Sequence, residues 1–176
     1  RLLGNGSLHT EIPGLYETLA RQCLAGISMP LIVIDWSDLT PDRQWQLLRA
    51  SVAIEGRSVT LYEQVHPQSR ATSPRVHQAF LSKLAAMLPP GCVPILVTDA
   101  GFRGAWFRLV NRMGWYWVGR IRNRDMVSPA NDDAWVGCKT LYPLATAKAK
   151  SLGQYDYVRK HPVLCRLVLV KRASQK

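Results

Sequence analysis

Two short apolar runs, each closing on an aspartate, constrain this chain more than any other feature. "MPLIVIDW" places four branched residues directly before Asp35, and "CVPILVTDAGF" repeats the pattern before Asp99, 64 residues later. A continuous apolar run without polar alternation is what a strand buried on both faces requires. In open α/β sheets, ligands gather outside the carboxyl ends of such strands. If the strands at 31–34 and 93–98 are neighbours, their two carboxylates meet at one point.

The segments between and around them fill in an α/β order. "HTEIPGLYETLARQCLAG" has helical spacing, with Thr10 as N-cap, Ile12, Leu15, Tyr16, Leu19 and Cys23 on one face, and Gly26 as a stop. Residues 45–65 alternate on either side of Glu55-Gly56-Arg57 and predict a β-hairpin turning at the glycine. "TSPRVHQAFLSKLAAMLPPG" is the clearest helix, capped by Ser73, started by Pro74 and ended by Pro89, Pro90 and Gly91. Trp106, Val110 and Met113 give another helix before Gly114, and "WYWVGRIR" alternates as a strand. Strand, hairpin, helix, strand, helix, strand is a mixed α/β sheet with helices packed on it. Past a boundary near Arg124 the composition turns loop-rich, with "VLCRLVLV" at 163–170 as the best remaining strand.

Charge divides the chain at nearly the same place. Residues 1–99 hold eight basic and eight acidic side chains, so the remaining residues carry the whole net charge of +11. An excess of that size on one part of a small protein points to a polyanionic partner, nucleic acid ahead of an anionic membrane, and on charge alone nucleic acid stands level with a merely solubilising basic face. Arg103, Arg108, Arg112, Arg120, Arg122 and Arg124 are the candidate phosphate contacts. The four cysteines, at 23, 92, 138 and 165, form no CxxC and have no histidine at zinc-ligand spacing, so they suit a reducing cytosol as small apolar residues. No apolar run approaches a membrane span and no glycine-rich phosphate loop is present.

Two unneutralised carboxylates at one point repel and raise each other's pKa, so such a pair shares a proton or holds a divalent cation. Oxygen ligands without imidazole or thiolate favour Mg²⁺ or Mn²⁺ over zinc. On pattern alone this stands level with a plainer reading, in which one aspartate caps the following turn and the other is solvated. Trp36, Trp106, Trp115 and Trp117 sit in apolar patterns and read as core. Asp38 reads as a turn support, Asp42 as part of a first helical turn after Thr40-Pro41, and the four histidines as surface or locally hydrogen-bonded groups.

"VIDWSDL", "LRASVAIEGRSVTLYE", "LVTDAGFRGAWFRLVNRMGWYWVGRIR" and the opening "RLLGNGSLH" together resemble the DDE transposases of bacterial insertion sequences, of the cut-and-paste group. The resemblance implies a ribonuclease-H-like catalytic core over 1–124 and the beginning of a β-rich insertion over 125–176. It matches Asp35 to the family's first catalytic aspartate and Asp99 to its second, both holding Mg²⁺ or Mn²⁺. It implies double-stranded DNA as partner, both transposon ends and target, a dimer of the full-length protein, and a place in the bacterial cytoplasm, on the nucleoid when DNA is bound. Family members complete the triad with a Glu in a Tyr-Arg-Glu-Lys motif on a later helix. Nothing after Arg124 matches that motif, and Asp132 and Asp133 lie in a turn-like stretch unsuited to a third ligand. The expectation is therefore a piece of a transposase, also short of an N-terminal DNA-binding region and inactive alone. Two rival expectations fit the same residues: a non-catalytic remnant that binds DNA or interferes with an intact transposase, and a non-specific nuclease of the same fold.

Overall fold

A computed structural model describes residues 5–171. Arg1–Gly4 of the opening "RLLGNGSLH" and residues 172–176 of the polar tail lie outside the described residues. The chain divides into two compact units. The first runs through Phe102 and includes Leu109–Gly119; the second takes Arg103–Arg108 and continues from Arg120.

The first unit is built on a five-stranded mixed sheet in the order β3-β2-β1-β4-β5. Strand β1 (Leu31–Asp38) pairs antiparallel with β2 (Trp45–Ile54), which pairs antiparallel with β3 (Arg57–Pro67). On its other side β1 pairs in parallel with β4 (Ile95–Thr98), and β4 in parallel with β5 (Tyr116–Gly119). The β2–β3 hairpin turns as expected at Glu55 and Gly56, both at positive φ (50° and 75°), the conformation of a two-residue turn matched to strand twist.

Register explains which side of the sheet is packed. Ile32 and Ile34 lie beside Val52 and Ala50 on β2, and beside Leu96 and Thr98 on β4, and all six are buried. Helix α2 (Pro74–Met87) covers this face with Phe80, Leu81 and Leu84, all fully buried; Phe80 meets the Tyr62 ring at 5.0 Å. Full burial of such side chains stabilises by about 1.5–3 kcal/mol each. Ser73 and Pro74 open α2 as read from sequence, although the Ser73 side chain makes no capping bond.

Three expectations change. The run at 31–34 is not buried on both faces: Leu31 and Val33 are 57% and 42% exposed, so β1 alternates like a one-sided strand although its residues are apolar throughout. Helix α1 (Gly6–Cys23) starts before Thr10, because Asn5 accepts the N–H of Ser7 and serves as N-cap. Its inward residues are Ile12, Tyr16, Ala20 and Cys23, with Tyr16 edge-on to Tyr62 at 5.6 Å; Leu15 and Leu19 face solvent. Finally, Asp42 sits in no helix. It accepts from Thr40 Oγ1 and from the Gln44 N–H, forming the tight turn that joins β1 to β2.

Helix α3 (Gly104–Arg112) follows β4 and ends before Gly114, which takes a φ of 72°. The second unit holds a four-stranded antiparallel sheet, ordered β7-β6-β8-β9, with β6 (Met126–Pro129), β7 (Val136–Gly137), β8 (Lys150–Tyr157) and β9 (Val163–Leu169). Its core gathers Val127, Tyr157, Val163 and Leu167, with Phe107 edge-on to Tyr157 at 5.9 Å. Tyr157 donates to Asp125 Oδ2 at 3.0 Å, and burial and that carboxylate together push its hydroxyl pKa far up.

Candidate metal centre

Asp35 and Asp99 come to the same level of the first unit's sheet. The β1–β4 ladder ends with Ile34 beside Thr98, and the next residue on each strand is the aspartate. Because side chains alternate, Asp35 shares the less covered face with Leu31 and Val33, while Trp36 turns to the packed face. Both aspartates are exposed. Asp35 nonetheless loses enough hydration that desolvation, then the negative charge of Asp99, raises its carboxyl above the ordinary value. A hydrogen bond from the Trp36 backbone and the charge of Arg49 oppose that rise without cancelling it.

Each carboxylate has its own support. Arg49 lies directly across from Asp35 on β2, and its Nε is held at 2.9 Å by Glu63, its own neighbour on β3. Gly101 donates its N–H to Asp99 Oδ1 at 2.7 Å. A Cβ on Gly101 would stand 2.8 Å from that same oxygen, so a larger residue here would push the Asp99 carboxylate aside. Asp38, the nearby acid on β1, is occupied otherwise: it accepts from Gln46 Nε2 at 2.5 Å and pairs with Arg43 at 3.2 Å, in keeping with a turn support.

Two carboxylates whose charges work against each other, with hard oxygen donors and neither imidazole nor thiolate among them, fit Mg²⁺ or Mn²⁺. Among the described residues, no cluster of three or more His, Cys, Asp or Glu is assembled to hold a metal. Asp132 and Asp133 instead serve the loop after β6: Asp132 accepts the Ala134 N–H and Asp133 the Trp135 indole.

The chain from residue 27 to 157 matches the family model described as a transposase DDE domain. The chain belongs to the transposase DDE domain family. The five-stranded mixed sheet with its helices is consistent with the ribonuclease-H-like core of such a transposase. Comparison with curated proteins gives no match. Among the described residues, no helix is long and apolar enough to cross a membrane.

The six arginines of this transposase-family chain are divided between the two units. Arg112 belongs to the first unit and is exposed; Arg103, Arg120 and Arg124 are exposed residues of the second. Arg108 is half-buried and donates to the His161 carbonyl at 2.5 Å, which gives it a structural task. Arg122 is half-buried too, and its backbone N–H reaches Asp125 Oδ2 at 2.8 Å. Trp106 and Trp115 are core, as read, whereas Trp36 and Trp117 are half-buried and make polar bonds through their indoles.

Sequence reasoning missed three residues around the pair. Arg49 was recoverable by laying the hairpin against β1, since an acid at a strand end favours a basic cross-strand neighbour. Gly101 carried a signal as the glycine two residues after an acid that ends a strand. His77 is not a surface histidine: it is 5% exposed and accepts the Trp36 indole N–H at 3.1 Å. Its spacing from Phe80, Leu81 and Leu84 already placed it on the buried stripe of α2.

Proposed function

We propose that this chain is part of a DNA transposase that cleaves transposon-end DNA and transfers the cut strand, with Asp35 and Asp99 as metal-holding carboxylates. The observation that carries the reading is the coincidence of the two strand ends at one level of the sheet, in a chain of the transposase DDE domain family. A divalent cation bound there would activate an attacking oxygen and stabilise the leaving oxygen of a phosphodiester. Asp35 and Asp99 bind the cation, and each is relieved of the other's repulsion when it does so. Arg49, fixed by Glu63, limits that repulsion. The Gly101 N–H fixes which oxygen of Asp99 faces outward.

Residues 1–124 then act as the ribonuclease-H-like core, and the sheet beyond residue 125 as the beginning of a β-rich insertion. The third carboxylate of a DDE site is supplied by no described residue beside the pair, so nicking by this chain alone should be weak yet metal-dependent. The basic excess after residue 99 is the DNA-holding charge, through exposed side chains such as Arg103, Arg120, Lys139 and Arg166.

The test is incubation of end-bearing duplex DNA with Mg²⁺ or Mn²⁺. Metal-dependent nicking that disappears in Asp35→Asn and in Asp99→Asn supports the proposal. Salt-sensitive binding without nicking favours a non-catalytic remnant, and nicking indifferent to end sequence favours a general nuclease.

A further inference from the structure

The β1–β4 ladder stops one residue short of both aspartates. Asp35 is still fixed beyond that point, because β1 continues to pair with β2 through Asp38. Asp99 is not: it stands outside β4, at the start of the turn leading to Phe102. Something other than ladder hydrogen bonds must hold that turn against β1 if the two carboxylates are to keep one geometry.

A cluster of rings lies on the packed face at this place. Trp36, next to Asp35, donates its indole N–H to His77 Nε2 at 3.1 Å. The other face of the contact is Phe102, three residues after Asp99, whose ring stacks on His77 with centroids 5.5 Å apart and planes 28° from parallel. His66 of β3 closes the cluster against Trp36 at 5.8 Å. An indole N–H can only donate, so His77 Nε2 accepts and the imidazole carries its proton on Nδ1. His77 is 5% exposed and Phe102 2%, so their stack is shielded from water, while Trp36 is half-buried.

We propose that His77 is a positioning residue for the aspartate pair: its ring ties the strand end bearing Asp35, through Trp36, to the turn that follows Asp99, through Phe102. It touches neither carboxylate; it sets the distance between their backbones. This rests on the reading of Asp35 and Asp99 as a metal-holding pair; groups bonded directly to metal ligands change affinity by about 10–100-fold when removed, and His77, which acts through the backbone, belongs at the lower end of that range.

Three variants of the whole chain test it. His77→Phe keeps a ring against Phe102 and removes the acceptor; Trp36→Phe removes the donor and leaves His77 in place; His77→Gln restores a side-chain acceptor. Mn²⁺ affinity is measured by calorimetry below each variant's melting range, alongside the amide signal of Gly101, which reports the Asp99 carboxylate it binds. The expected result is an affinity lowered about tenfold in His77→Phe and in Trp36→Phe, with partial recovery in His77→Gln, which restores the acceptor for Trp36 but not the ring against Phe102. The Gly101 amide moves most in the first two and less in the third. A histidine that only stabilises the fold would lower the melting temperature and leave both readouts unchanged in folded protein, and that outcome overturns the proposal. Should the unaltered chain bind no Mn²⁺, the metal reading fails by itself. The Gly101 amide then decides the positioning role: displaced in His77→Phe or Trp36→Phe it stands, unmoved in both it falls.

Discussion

The two faces of the five-stranded sheet are made of similar residues and live in different surroundings. On one, Ile32, Ile34, Ala50 and Leu96 are sealed beneath α2; on the other, Leu31, Val33, Tyr116 and Val118 all remain more than 40% exposed. Alternation along β1 distributes chemistry between them. Asp35, the residue proposed to hold the metal, falls on the more exposed face, and its neighbour Trp36 falls on the face that is packed. A carboxylate on the packed face would be neutralised by burial, and one on a loop would lack a rigid support. The strand end combines access with rigidity because consecutive residues point opposite ways.

The contrast is broken most strongly in the core. Phe80→Ala removes a fully buried ring from the packed face and should cost about 3–5 kcal/mol of unfolding free energy in a urea titration.

Acid attacks the same face through His77. Burial, with a smaller push from the positive charge of His66, lowers the His77 pKa from 6.5 to about 4. Below pH 6.5 the unfolded chain takes up a proton that the folded chain refuses, so stability falls as pH drops and levels off once the folded ring also titrates near pH 4. The total is about 3 kcal/mol. His66, whose own pKa is lowered by burial and by Arg70, adds in the same sense. In His77→Phe this part of the pH dependence should vanish from stability curves measured between pH 7 and 4.

Asp35 works in the opposite direction. Its carboxyl pKa is raised in the fold, so the folded chain holds its proton longer than the unfolded one, and stability is lost as pH rises through that window. Asp35→Asn should therefore raise the melting temperature at neutral pH, the sign of a residue kept for function at some cost to stability. The smallest effect belongs to the open face. Leu31→Ser, on a side chain already in water, should change unfolding free energy by only about 0.5 kcal/mol, and a much larger loss would show that the face is covered in solution.

Much of this arrangement was legible in the sequence. The Glu55-Gly56 turn, the Ser73-Pro74 helix start and the two strand-end aspartates all follow from local rules, and the structure sets the two strands side by side. The exposure of Leu31 and Val33 was not legible, because an apolar run states what a strand tolerates and not how many of its faces are covered. Strand β8 was equally hidden. "KSLGQYDY" has little β-propensity, and its pairing with β9 absorbs an irregularity at Gly153, so the partner strand decides its conformation more than its own residues do. The start of α1 was misread because Asn5, a good N-cap, stands before a glycine and a serine that carry no apolar periodicity. Of the aspartate pair's surroundings, Arg49 becomes legible only once the hairpin is laid against β1, and Gly101 only as the glycine two residues after a strand-end acid.

Mn²⁺ titration of the chain beside Asp35→Asn and Asp99→Asn decides whether the two aspartates form one cation site. Saturable binding by the unaltered chain is expected, with an affinity at least about tenfold weaker in either variant and both variants still folded. Equal affinity in all three proteins would rule the shared site out.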